Sequence, residues 1–348
     1  MTNITPQPLM SYWDYEDGNE TITADSFDSD SAYDDGGDRP VEDLTLLSHE
    51  RANVCKYENG RRYHRYHEGQ YAFPNDNQEL DRMDLQHHIS NLVFGGKLHF
   101  SPITTGEGDP SPILDIGFGS GIWAASMAEM YPHSQVIGVD LSWTEPIWCP
   151  PNCRLEVDDC EHDWLYKKDY FELVHIRYLN GSIRDWDRLF QQAYRHTRPG
   201  GWIELQECDI ELYCDDNTLP PDSMLLEWFV LINKAATASE RPFIKTQHFK
   251  SWLERAGYVN VKDKLFKVPI NRWPKDKKMK ELGHYEIMNI AEGLEGWSMA
   301  LFTRVLGWEK DDVLVYLEKI KKEFRNRKVH AYWSLRATYG QKPMDSST

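Results

Sequence analysis

The run Ile113-Leu114-Asp115-Ile116-Gly117-Phe118-Gly119-Ser120-Gly121-Ile122-Trp123 constrains this chain more than any other. A short apolar strand enters Gly-x-Gly-x-Gly and leaves as the helical stretch Ile122–Met130. Glycines at alternate positions strip side chains from a sharp turn and let a ligand lie against bare backbone. Strand, glycine turn and helix in that order start a β-α-β unit, so the chain is committed to parallel strands with helices across them. The spacing also discriminates. A dinucleotide-binding loop reads Gly-x-Gly-x-x-Gly, its third glycine allowing helix–strand packing below a pyrophosphate. Here the third glycine comes one residue early and Ile122 takes the expected place. On this segment alone, a plain glycine turn with no ligand is the alternative.

The pattern downstream carries the unit on. Strands are predicted over 113–116, 135–139, 154–157, 171–176 and 202–206, with helices over 122–130 and 184–197. Pro199-Gly200-Gly201 is predicted as the turn ahead of the fifth strand. Beyond residue 214 helices are expected over 222–236, 248–256, 275–289 and 311–324, and strands over 258–268 and 329–339. Upstream, a helix over 79–93 closes at Gly95-Gly96. The expected architecture is α/β: a Rossmann-like sheet spanning 111–340, a helical insertion at about 215–300 over its carboxyl edge, and a helical, aromatic cap segment at 46–110.

Charge marks out the first 45 residues. Twelve acids against Arg39 give residues 1–44 a net charge of −11 out of −17 for the 348-residue chain. Such a stretch, poor in aliphatics and rich in Ser, Gly and Asp, cannot bury enough surface to offset chain entropy, so a disordered acidic tail is expected. Its scattered aromatics leave a docking segment as the alternative to a merely solubilising one. The longest apolar run, 225–232, is far short of the roughly 20 residues of a membrane helix, and no secretory signal opens the chain. The acidic balance argues against direct nucleic-acid binding. Six cysteines without an export signal predict reduced thiols, and the spacing of Cys149, Cys153 and Cys160 is a poor match to zinc.

The acids that follow the glycine turn narrow the ligand. Asp140 ends the second strand, where a carboxylate can accept from both hydroxyls of a ribose, with Leu141 beside it. Asp159, followed by Cys160, comes after the third strand, where an acid can accept from an adenine amino group. Asp115, just ahead of Gly117, Gly119 and Gly121, can meet an ammonium. A ligand with an adenosine, an ammonium and no phosphate matches this set, since clustered acids would repel a pyrophosphate. S-adenosylmethionine fits and NAD does not.

At this point the sequence resembles the class I S-adenosylmethionine-dependent methyltransferases, and more narrowly the fungal LaeA-like group. The narrower resemblance rests on Tyr71-Ala72-Phe73-Pro74-Asn75-Asp76 with Glu79, Arg82, Asp84 and His87, and on Asp158-Asp159-Cys160-Glu161-His162-Asp163-Trp164. It rests also on His175-Ile176-Arg177, Gly181-Ser182-Ile183, Asp185-Trp186 and Pro199-Gly200-Gly201-Trp202-Ile203-Glu204 with Glu207. The resemblance covers about 60–340 and implies a seven-stranded sheet with an antiparallel last hairpin. It implies a role in fungal secondary metabolism and development, in cytoplasm and nucleus, with a velvet-family regulator or another LaeA-like methyltransferase as partner.

Methyl transfer asks chiefly for alignment and exclusion of water, with a base only where the acceptor must lose a proton. His175, at the end of the fourth strand, is the first candidate for that base or for orienting the acceptor; a histidine bonded to neighbouring groups near the cofactor is the alternative. Glu207 is expected at the pocket, holding an amine or guanidinium or capping Arg177, and Glu204 is expected on the same strand. Arg177 is expected to pair with Asp185 or Glu207. Tyr71 and Phe73 are expected to close over the cofactor or to pack in the core, and Trp123 and Trp164 to pack. Three functions stay open: a methyltransferase acting in regulation, a biosynthetic O- or N-methyltransferase of a small metabolite, and a cofactor-binding regulatory subunit without turnover.

Overall fold

A computed structural model of the protein describes residues 21–25, 55–64, 71–103, 108–142 and 148–344. Strands β1 (Cys55–Glu58) and β2 (Arg61–His64) form an antiparallel hairpin ahead of helix α1 (Asn77–Val93). Then come β3 (Ile113–Ile116), α2 (Ile122–Met130), β4 (Val136–Asp140), β5 (Cys153–Val157), β6 (Phe171–Arg177), α3 (Trp186–His196) and β7 (Thr197–Cys214). Helices α4 (Met224–Ala238) and α5 (His248–Ala256) lead to β8 (Val259–Pro269). Helix α6 (Lys277–Ala300), a π-helical turn (Leu301–Val305), α7 (Lys310–Arg325) and β9 (Ala331–Gln341) complete the chain.

Seven strands make one sheet in the order β5-β4-β3-β6-β7-β9-β8. The first five are mutually parallel, and β9 runs antiparallel between β7 and β8. The central strands are apolar on both faces because helices cover both: every residue of β3 is buried. One face packs α3 and α5 through Leu189, Phe190, Phe249 and Leu253; the other packs α2 through Trp123 and Met127. A third apolar cluster joins α1, α4, α6 and α7 to the antiparallel end of the sheet at Leu212, Val268, Trp333 and Leu335.

The element order agrees with the sequence pattern, and three differences have local causes. The expected turn at Pro199-Gly200-Gly201 is a register break inside the long strand β7: Thr197 pairs with Phe171 and Trp202 with Leu173, so the intervening residues loop outward without ending the strand. The helical insertion expected at about 215–300 is two separate pieces, because β8 returns to the sheet between α5 and α6. Helix α6 also continues to Ala300, beyond the expected end at 289, and its glycines allow close approach: a Cβ on Gly283 would stand 2.0 Å from the carbonyl oxygen of Asn271.

Part of the expected disordered tail is ordered. The backbone of Ala24 bridges to Pro274, the Asp25 amide donates to the Trp273 carbonyl at 2.9 Å, and the Lys275 amide donates to Thr23 at 2.7 Å. The Asp25 carboxylate meets Lys280, and Arg327 at 3.8 Å. These five residues find the backbone of residues 273–275 and two cations, which composition cannot reveal. The rest of that tail lies outside the described residues. Among the described residues no helix is long and apolar enough to cross a membrane.

Candidate functional site

The glycine turn stands at the carboxyl end of β3, where Gly117, Gly119 and Gly121 take φ of +75°, +57° and +80°. Non-glycine residues rarely hold such values. Space requires glycine as well. A Cβ on Gly117 would lie 2.5 Å from Leu179 Cδ2, and one on Gly119 3.0 Å from Met83 Sδ. Gly121 caps α2. The Gly119 amide donates to Asp140 Oδ2 at 3.0 Å and the Ser142 amide to Asp140 Oδ1 at 3.0 Å. One carboxylate thus ties the glycine turn to the end of β4, leaving each oxygen lone-pair capacity. Burial pushes the Asp140 carboxyl up, against the pull of those two amides.

Two adjacent cavities with shared lining residues border this turn. The smaller, about 50 Å³, is lined by Tyr71, Gly117, Asp140, Leu141, Asp159 and Cys160. The larger, about 220 Å³, shares Tyr71, Gly117, Gly119 and Asp140, and continues under α1, α4 and α6. Six residues from four separate segments, all expected at one site, therefore line one cavity. Tyr71 stands between the cavities, edge-on to Phe73 at 5.4 Å and to His64 at 5.2 Å. Arg304, from the π-helical turn, bonds the Tyr71 carbonyl at 3.3 Å, pairs with Glu58 at 3.0 Å, and lies over the Tyr63 ring. The β1–β2 hairpin, with Asn59-Gly60 at its turn, is thereby clamped beside the cavity. An Asn-Gly dipeptide between aromatic, basic runs is a hairpin signal that could have revealed it.

Several expected site residues stand elsewhere. Asp115 and His175, 3% and 0% exposed, line neither cavity. They are register partners on β3 and β6, and Asp115 Oδ1 meets His175 Nδ1 at 2.8 Å. The imidazole stacks on Trp123 at 3.5 Å with 3° between planes. His175 is therefore a packed strut beneath the glycine turn and not a base facing the acceptor, and Asp115 holds the histidine in place of an ammonium. Glu207 does border the larger cavity, yet both its oxygens are engaged, by the Leu179 amide at 2.8 Å and the Asn180 amide at 3.2 Å. Its carboxylate latches the loop that follows β6 and, like that of Asp140, keeps one lone pair on each oxygen toward the cavity. Glu204 faces the other way and accepts from the Phe100 and Ser101 amides. Arg177 pairs with neither expected acid: Asp185 caps α3, and the guanidinium donates to His87 Nδ1 at 3.1 Å. Burial and Arg177 hold the His87 imidazole down to about 3, so it is neutral and free to accept.

Sequence reasoning missed the far end of the larger cavity. There Trp228, Trp297, Trp333 and Phe243 surround Glu286 and Asn289 of α6. Burial pushes the Glu286 carboxyl up to about 8, opposed by Asn289, Arg82 and Trp333. The signal was an acid at helical spacing among Met279, Leu282, Ile290 and Leu294, a position that points inward.

Comparison with known proteins gives the family. A family model described as a methyltransferase domain matches residues 85–263. The chain is 40% identical over 291 residues to "Methyltransferase pytC" of Aspergillus terreus, covering 83% of this chain and 88% of that one. It is 38% identical to "Secondary metabolism regulator LAE1" of Cochliobolus heterostrophus, over 82% of this chain and 94% of that one. It is 33% identical to "Secondary metabolism regulator laeA" of Aspergillus fumigatus, over 83% and 77%.

Proposed function

We propose that this chain, which belongs to the class I S-adenosylmethionine-dependent methyltransferases, methylates a small, largely apolar acceptor held under α1, α4 and α6. S-adenosylmethionine is the cofactor of the family, and it supplies a methyl group already activated on a sulfonium. The residues fit it. Side chains are absent where Gly117 and Gly119 approach Leu179 and Met83, leaving a cradle that a single Cβ would fill. Asp140 is acceptor-only when ionised and keeps free lone pairs for the two ribose hydroxyls. In this reading Asp159 takes the adenine amino group, Leu141 and Cys160 border the purine, and Tyr71 closes the site against water.

The observation that carries the small-acceptor reading is the form of the larger cavity. It runs from the glycine turn into an interior end walled by three tryptophans, as ligand sites built from apolar walls and few polar groups do. A second reading draws on the likeness to the two named regulators. In it the chain acts in secondary metabolism and development, in cytoplasm and nucleus, with a velvet-family regulator or another LaeA-like methyltransferase as partner.

One experiment separates the two. Purified protein is incubated with methyl-labelled S-adenosylmethionine and either a small-molecule extract or a protein extract of the producing cells. Label in the small-molecule fraction, abolished by Asp140→Ala, is expected. Label confined to protein would favour the regulatory reading, and cofactor binding with no label in either fraction would mean a subunit without turnover.

A further inference from the structure

Two arginines line the larger cavity, the aromatic chamber beneath α1, α4 and α6, and they are placed differently. Each nitrogen of the Arg82 guanidinium is engaged: Nε and Nη2 donate to Glu79 Oε1 at 2.9 and 2.8 Å, and Nη1 donates to Asn289 Oδ1 at 2.8 Å. Other enclosed arginines also have a carboxylate each, Arg61 at 2.6 Å from Asp76 and Arg241 at 2.6 Å from Glu161. Arg177 has none among the described residues. Its guanidinium makes one hydrogen bond there, from Nη2 to His87 Nδ1 at 3.1 Å.

Two acids act on that cation from a distance, and each is committed elsewhere. Asp115 holds His175 at 2.8 Å. Glu207 accepts from the Leu179 and Asn180 amides, and burial pushes its carboxyl up to about 8, so near neutrality it offers little charge. Burial pulls the Arg177 pKa down, yet a guanidinium stays protonated in a protein. The position of the side chain matters as much. Ile176 is the register partner of Ile116, so Arg177 leaves β6 beside Gly117, at the carboxyl edge where such sheets take ligands. An enclosed cation without a counter-ion is costly, and one that borders a cavity points to an anion there.

The surroundings select the class of anion. Glu79, Asp140, Glu207 and Glu286 share the cavity, and a doubly charged phosphate would face them all. A carboxylate carries one charge, and its two in-plane oxygens match the guanidinium fork. A neutral carbonyl would leave the cation unbalanced. We infer that Arg177 binds a carboxylate in the larger cavity, with His87 positioning its guanidinium from α1. Two molecules can bring that group: the methyl acceptor, or S-adenosylmethionine itself through its amino-acid end, which Asp115 is not free to hold. The acceptor source rests on the small-acceptor reading above; the cofactor source does not.

Calorimetry on the full-length protein, Arg177→Met and Arg177→Lys tests this with two matched pairs of probes. S-adenosylhomocysteine is set against 5′-methylthioadenosine, which lacks the amino-acid end. 2-Naphthoate is set against 2-naphthamide, both titrated into protein saturated with S-adenosylhomocysteine. Arg177→Met should weaken one carboxylate probe about tenfold or more and leave its neutral counterpart within about twofold, which also shows that the fold survives. Arg177→Lys, which keeps the charge without the fork, should recover part of the loss. A loss for S-adenosylhomocysteine assigns the site to the cofactor, and a loss for 2-naphthoate assigns it to the acceptor. Equal affinity of wild type and Arg177→Met for both carboxylates would overturn the inference. So would a loss shared by the neutral probes, which a mere strut between β6 and α1 would give. No methyl is transferred, so the result stands apart from the labelling experiment. Label found only in protein would sink the small-acceptor reading and leave a cofactor assignment untouched. Labelled metabolites with carboxylate probes indifferent to Arg177 would do the reverse.

Discussion

Asp140 and His175 show how two polar residues on the strands that flank β3 come to opposite uses. Asp140 is at the mouth of both cavities and is held by the Gly119 and Ser142 amides without being saturated. Asp140→Ala is expected to weaken S-adenosylmethionine binding at least tenfold by calorimetry, a loss of about 1.4 kcal/mol. His175 is enclosed between Asp115 and Trp123. His175→Ala leaves a hole and a buried carboxylate without its partner, so a loss of about 2 kcal/mol in urea unfolding is expected, with cofactor affinity within about threefold of wild type. A large affinity loss in folded His175→Ala protein would return the residue to the site. Glu286 predicts a pH effect. The unfolded carboxyl titrates near its usual 4.5 and the folded one near 8. Between these values the folded protein keeps a proton that the unfolded chain has released. The contribution is complete below about pH 4.5 and is lost as pH rises through about 8. Glu286→Gln should therefore gain urea midpoint relative to wild type between pH 5 and pH 9.

Helix α6 carries much of the chamber. Asp276 caps its first turn, accepting from the Lys278 and Met279 amides at 3.0 and 2.9 Å. One side then presents Glu286, Asn289 and Trp297 toward Arg82 and Gln86 of α1. Gly283 costs the helix about 1 kcal/mol relative to Ala, yet the Asn271 carbonyl leaves no room for a methyl group. Gly283→Ala should therefore lose stability, by about 2 kcal/mol or more in denaturant, because a backbone atom 2.0 Å away cannot move as a side-chain tip can. A gain in stability would mean that the helix is set further from residue 271. The periodicity over 275–289 was enough to predict this helix but not its extent. Past 289 come Gly293 and Gly296, which lack a Cβ where Arg82 and the ion pairs of Glu79 approach the helix.

For the molecule as a whole, the acidic N-terminal stretch is where charge and fold meet. Residues 21–25 add a short backbone contact beside β8 and bring Asp25 to Lys280 at the start of α6 and Arg327 just past α7. They line neither cavity. Deleting residues 1–20 should leave the melting temperature unchanged, and deleting 1–44 should lower it by a few degrees, roughly the effect of 1 kcal/mol in a chain this size. Both variants should keep their affinity for S-adenosylmethionine. Loss of cofactor binding in the longer deletion would place the tail in the working site.

Local pattern settled what local physics can settle. The turn Gly117–Gly119, the acid at 140, and the alternation of buried strands with amphipathic helices depend on backbone geometry and on burial period, both written in consecutive residues. Those were enough for the α/β sheet and for the residues gathered around the glycine turn, while its antiparallel close was an expectation of the family resemblance. Which way a buried polar side chain turns depends instead on partners dozens to hundreds of residues away. His175 faces Asp115 because β3 and β6 happen to be in register there, Glu207 reaches the Leu179 amide across a loop, and Glu286 meets Trp333 only after α6 and β9 have both packed on the sheet. A carboxyl or an imidazole gains its role from whichever donors and acceptors long-range packing puts beside it, and those neighbours are set by the assembled core.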